Sequence, residues 1–137
     1  MKLTLLPVDS FSVVRFPTNV NFIQLVSEIC TVTQDATDIL SFTKTAVEIS
    51  ILLPSACVSR IGHHPDMKEE RGFRSFKVEG PLDFSLVGIL SHLTQPLAKN
   101  AISVFVVSTF DTDYILVKSE NVSKTIELWT EQGHIVK

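Results

Sequence analysis

Between Leu86 and Val117 the spacing of apolar residues changes twice, and few folds accommodate both changes. Leu86, Leu90, Leu93 and Leu97 recur at threes and fours, widened by Val87 and Ile89, which predicts an amphipathic helix over 84–98. Pro96 bends or loosens its last turn. Ile102 to Val107 is then almost wholly apolar and rich in β-branched residues, which predicts a strand buried in mid-sheet, with Tyr114 to Val117 as its hairpin partner. Upstream, Phe76 and Val78 alternate with Lys77 and Glu79 as a half-buried strand that Gly80 and Pro81 end. Downstream, Val122, Ile126 and Trp129 mark a second helix, with Ser119 as N-cap and Gly133 beyond its end, and His134 to Val136 supplies a last strand. The order β-α-β-β-α-β is the split βαβ or ferredoxin-like arrangement, in which two helices cover one face of an antiparallel sheet.

The first half is patterned similarly. Leu3 to Leu6 and Phe11 to Phe16 read as strands around the turn Pro7–Ser10, and Phe22, Ile23, Val26 and Ile29 place a helix over 20–30 with Asn19 as N-cap. Ile39 to Lys44 and Val47 to Leu53 form a hairpin around Thr45 and Ala46, stopped by Pro54. The stretch from Gly62 to Gly72 is charged and punctuated by Gly and Pro, the composition of a surface connection. The chain is therefore expected to be α+β, with two tandem ferredoxin-like modules, residues 1–61 and 73–137, joined by a linker over 62–72. A module of about 65 residues has a marginal core, so the two should pair with each other or with another subunit.

Composition removes several function classes. A hydrophobic content of 45% suffices for a buried core, and a net charge of −3 without a Lys or Arg stripe argues against nucleic acid as a partner. A ferredoxin-like sheet that binds RNA is disfavoured on the same ground, and no basic aromatic motif of that type is present. No segment approaches the roughly 20 apolar residues of a membrane span, so no membrane partner is expected. Pro7, Asp9 and Ser10 interrupt the N-terminal apolar run before a signal-peptide core forms, and a cytoplasmic location is the expectation. Cys30 and Cys57 lack CxxC spacing and are expected to be reduced and buried. His63 and His64 stand beside Pro65 and Asp66, but no second cluster completes a tetrahedral set, so neither metal nor cofactor is called for. His92 and His134 have no assignable catalytic partner, and GxSxG, P-loop, GxGxxG and HExxH motifs are lacking; an enzyme is not expected.

Two polar junctions remain as the candidate ligand site. One is the helix opening, Asp83, Phe84, Ser85, Leu86, Val87 and Gly88, where unpaired backbone N–H groups and the helix dipole can hold a carboxylate. Asp83 or Ser85 fits equally well as a simple N-cap. The other is the turn Thr109, Phe110, Asp111, Thr112 and Asp113, whose carboxylates can accept charge-assisted bonds from an ammonium or guanidinium group. Asp is also a common turn former, and the threonine hydroxyls can bond only to local backbone. Together the junctions would suit a zwitterion.

Gly80-Pro81-Leu82-Asp83-Phe84, Gly88-Ile89-Leu90, Pro96-Leu97-Ala98, Ile102-Ser103 and the run from Ser108 to Val117 resemble the ACT domain of the CASTOR type, in order and at the expected separations. That type includes small two-ACT proteins and the cytosolic arginine sensors of the TOR growth pathway. Phe42-Thr43-Lys44-Thr45 and Glu48-Ile49-Ser50 resemble the companion N-terminal ACT domain, although the β, β, α, β, β order differs from the usual one. The resemblance implies a regulatory protein that binds an amino acid or similar small ligand between ACT domains, as a homodimer or with another ACT-domain protein. It also implies that Asp83 to Gly88 and Thr109 to Asp113 grip the ligand. An acidic residue of the arginine sensors falls here on Leu86, while Asp113 keeps the acidic position in the turn. A ligand-free dimerisation or interaction module is the competing expectation.

Overall fold

The charged stretch expected to be a linker contains the start of the longest strand. Lys68, Glu69, Glu70 and Arg71 open β5 (Lys68–Val78), whose early residues alternate between exposed and half-buried positions. Charges do not prevent pairing when they occupy the solvated side of a strand. The computed structural model describes residues 1–36, 38–80 and 87–137.

The chain forms two compact units that are nested in sequence rather than strictly consecutive: Val8–Gly72, and Met1–Pro7 together with Phe73–Lys137. We call them the inserted and the outer unit. The inserted unit contains β2 (Phe11–Phe16), α1 (Phe22–Val32), β3 (Ser41–Lys44), β4 (Ile49–Pro54), a short helix α2 (Ser55–Val58) and the opening of β5. Its strand order, β3-β4-β2-β5, is that of a complete ferredoxin-like βαββαβ unit. The unusual β, β, α, β, β order is thereby explained. The first strand belongs to the other unit, and α2 and β5, hidden from periodicity by brevity and charge, complete this one.

Local chemistry sets the ends of these elements. Asn21, rather than the expected Asn19, caps α1, its side chain accepting from Gln24 N at 3.0 Å. Leu25 and Ile29 then lie one turn apart on the face that packs on Val14, Phe16, Ile49, Ile51 and Leu53. Pro54 closes β4 and stands as N-cap of α2, which turns Cys57 and Val58 into the same core. Cys30 is exposed, contrary to expectation, because it follows the buried Ile29 on the solvent side of α1.

The outer unit has the strand order β6-β7-β5-β1-β8, with β1 (Lys2–Leu5), β6 (Phe105–Ser108), β7 (Asp113–Lys118) and β8 (Ile135–Val136), and with helices α3 (Ile89–Lys99) and α4 (Val122–Glu131). Its mixed α and β composition is the expected one, but β1 adds a strand between β5 and β8. It runs antiparallel to β5, with Leu3 opposite Val78, and parallel to β8, with Leu3 opposite Val136. Leu3 is fully buried with Phe76, Val78, Leu93, Leu97, Ile115, Val117 and Trp129. Trp129 meets Phe76 edge to face at 4.9 Å and donates its indole N–H to Leu93 O at 2.8 Å, which satisfies the polar atom of the largest core side chain.

The expected mid-sheet strand over 102–107 is corrected on two points. Regular pairing begins only at Phe105, after Ala101 adopts φ +57° and Ile102 N bonds back to Leu97 O at 2.9 Å. Among the described residues the strand pairs with β7 alone, at an edge of the sheet, and its apolar residues are half-buried. An apolar run reports low polarity; it does not report how many neighbours the strand has.

Because Leu3 is a core residue supplied from the chain terminus, Leu3→Ala should destabilise the fold by about 2–4 kcal/mol in urea denaturation. A cost under about 1 kcal/mol would mean that β1 frays as an ordinary terminus.

Candidate functional site

The turn between β6 and β7 is fastened from within. Thr109 N donates to Thr112 O at 2.8 Å, and Thr109 Oγ1 both donates to Thr112 O and accepts from Thr112 N, at 3.1 and 3.3 Å. Thr112 is buried and its hydroxyl donates to Val78 O at 2.5 Å, which ties the turn to the end of β5. Asp113 stands opposite Ser108 in the β6–β7 register and accepts from its hydroxyl at 2.6 Å. Asp113 is half-buried, Asp111 is exposed, and Phe110 is 81% exposed at the tip. The threonine hydroxyls thus do local structural work, while Asp113 holds a carboxylate at the beginning of a well-paired strand.

The other expected junction falls only in part within the described residues. Helix α3 starts at Ile89, with Gly88 as an N-cap at φ +79° that offers no side-chain bond, and His92 N closes the first turn on Gly88 O at 2.9 Å. Val87 and Gly88 precede the helix, and the free N–H groups of its first turn belong to Ile89, Leu90 and Ser91. The physical reason is the left-handed backbone at Gly88, which cannot continue an α-helix. Val87 is 90% exposed. Asp83, Phe84, Ser85 and Leu86 lie outside the described residues.

Two histidines near this helix were not legible as a group. The His134 Nδ1 is 3.0 Å from the α-amino nitrogen of Met1, because β8 lies beside β1. Burial chiefly, then the Met1 ammonium charge, then His92 hold the His134 imidazole below its ordinary value of 6.5. In the inserted unit, His64 pairs with Glu28 at 3.3 Å and meets the Phe16 ring edge to face at 5.1 Å. Among the described residues, no three His, Cys, Asp or Glu side chains form a group that could hold a metal ion.

Thr112→Val should cost about 1–3 kcal/mol in denaturant unfolding, since it withdraws a buried donor from Val78 O while conserving shape. The depressed His134 value fixes a sign for pH. The unfolded chain takes up this proton before the folded one does, so stability is complete above about pH 6.5 and falls as the pH drops below it. His134→Gln should flatten the decline in melting temperature between neutral and mildly acid pH; an unchanged pH profile would count against that assignment.

The family model described as ACT domain matches residues 68–129, which include the fastened turn and α3. The chain is 32% identical to protein Atu0741 of Agobacterium tumefaciens, covering 99% of its own length and 91% of that protein, with a TM-score of 0.78. The ligand-free regulatory subunit of aspartate kinase from Thermus thermophilus shares the fold at 8% identity and a TM-score of 0.65, over 94% of this chain and 95% of that one. Aspartokinase III of E. coli, solved with aspartate and ADP, shares it at 11% identity and a TM-score of 0.62, over 93% of this chain and 32% of that one. No curated protein matches the sequence. Among the described residues, no helix is long and apolar enough to cross a membrane. The nested ferredoxin-like units and the matches converge: residues 68–129 form an ACT domain, and over nearly its whole length the chain belongs to one family with the Agobacterium protein.

Proposed function

We propose that this protein is a regulatory sensor of a small molecule, an amino acid being the class that its chemistry favours, and that it acts through ACT–ACT interfaces. On this reading it works in the cytoplasm as a homodimer or with another ACT-domain protein, and it catalyses no reaction. The observation that carries the reading is the fastened acidic turn. Its backbone is held by internal bonds and by Thr112 on Val78, so the Asp113 carboxylate is presented at a defined place within the segment that matches the ACT model. A preorganised carboxylate binds an ammonium group with less ordering cost than a mobile one. The first turn of α3 supplies the complementary end for a carboxylate.

The CASTOR type is the subfamily that the motifs favour, yet Leu86 replaces the acidic residue of the arginine sensors, so a ligand other than arginine is favoured. Aspartokinase III was solved with aspartate, which lends the amino acid class support through a shared fold. Switching would follow from population shift: a ligand that touches two facing domains stabilises the bridged arrangement by its difference in affinity between states.

A second reading, a ligand-free interaction module, draws on Val87 and Phe110, large apolar side chains that are 90% and 81% exposed beside the same junctions. A thermal-shift series with the common amino acids at millimolar concentration separates the two. At a hundredfold excess over Kd one amino acid should add about 2.7 kcal/mol of stability, and Asp113→Ala should remove that gain. If none raises the melting temperature while self-association persists, the interaction module is the better account.

A further inference from the structure

We propose that the inserted unit carries a second small-molecule site, a cleft at the C-terminal end of α1 that takes a small aliphatic zwitterion such as a short-chain α-amino acid. The cleft has a volume of about 250 Å³. Val8, Val32, Pro54 and Cys57 form apolar walls, and Asp35 and Arg60 supply one charge of each sign. Apolar walls with a few convergent polar groups are the usual make-up of a small-ligand site. This cleft is too small for a nucleotide and suits a compact ligand.

Both charged residues are exposed, and the backbone that carries them is held by local bonds. Ala36 N bonds to Thr33 O at 2.8 Å just beyond α1, and Val8 N donates to Asp38 Oδ2 at 3.1 Å, which pins the chain before β2 against the chain after α1. Arg60 follows α2, its N–H bonded to Cys57 O at 3.1 Å, and its Nη1 reaches Val32 O at 3.5 Å. The guanidinium is suited to the two oxygens of a carboxylate, whereas Asp35 favours an ammonium group. A ligand carrying both charges leaves the cleft neutral, and its aliphatic body covers the Val8, Val32 and Pro54 walls. All of these residues lie within Val8–Gly72, so the inference does not rest on the Asp113 reading.

The test is an NMR titration of the whole chain with L-valine, following the backbone amides of Val32, Ala36, Cys57 and Arg60. Saturable shifts at these amides are expected, and Arg60→Gln should weaken the apparent affinity about tenfold or more by removing a charge-assisted contact. Isovalerate, which lacks the ammonium group, and isobutylamine, which lacks the carboxylate, should each bind markedly more weakly than valine. Absence of saturable shifts at these amides, equal binding of all three compounds, or no effect of Arg60→Gln would overturn the proposal. Shifts confined to Thr109–Asp113 would overturn it while supporting the site in the outer unit.

Discussion

The outer unit depends on a strand that is bonded along both edges. Glu79 N donates to Lys2 O at 2.8 Å on one side of β1, and on the other Ile135 N donates to Met1 O, Leu5 N to Lys137 O and Lys137 N to Leu3 O, at 2.8–2.9 Å. β8 has only two residues in regular pairing, too few to persist without a neighbour already in place. By providing that neighbour and the Leu3 side chain, β1 brings the two ends of the chain into one sheet and closes the core over Trp129.

Val78 connects this framework to chemistry. On one side it is opposite Leu3 of β1, and its carbonyl receives the Thr112 hydroxyl of the acidic turn. The place of Asp113 is therefore referred to the most buried part of the unit rather than to a free loop. Such an arrangement gives a carboxylate a reproducible position while Phe110, two residues before the buried Thr112, remains at the surface.

Much of this was readable from periodicity. The amphipathic stripes behind α1, α3 and α4, the β2 and β7 strands and the Gly133 helix end, at φ +86°, all follow from residue spacing and backbone preference. What escaped was non-local. Nothing in Lys2–Leu5 says that its partners are β5 and β8, since a short apolar run pairs equally well with the adjacent strand. The start of β5 was concealed by its charges, of which Glu69 is half-buried and accepts from the Ser12 hydroxyl at 2.5 Å. The acidic turn was visible as a turn, but its anchoring depends on a hydroxyl reaching 34 positions back along the chain. That Gly88 stands as the N-cap of α3 rather than inside a helix depends on its left-handed φ. The Val8, Asp35 and Arg60 cleft had no signal at all, because its walls come from segments that have no common spacing.

Nesting also imposes an order on synthesis. The inserted unit is contiguous, so all of its strands have emerged from the ribosome once Gly72 has, and it can acquire its core while the rest is still being made. The outer unit must wait for β8, while β1, made before the whole inserted unit, stays without its mates. For that interval β1 is an unpaired strand, a candidate for chaperone capture or for mispairing with a neighbouring nascent chain. Slowing translation through Phe73–Lys137 would lengthen that exposure in a way that no substitution in the finished structure would reveal.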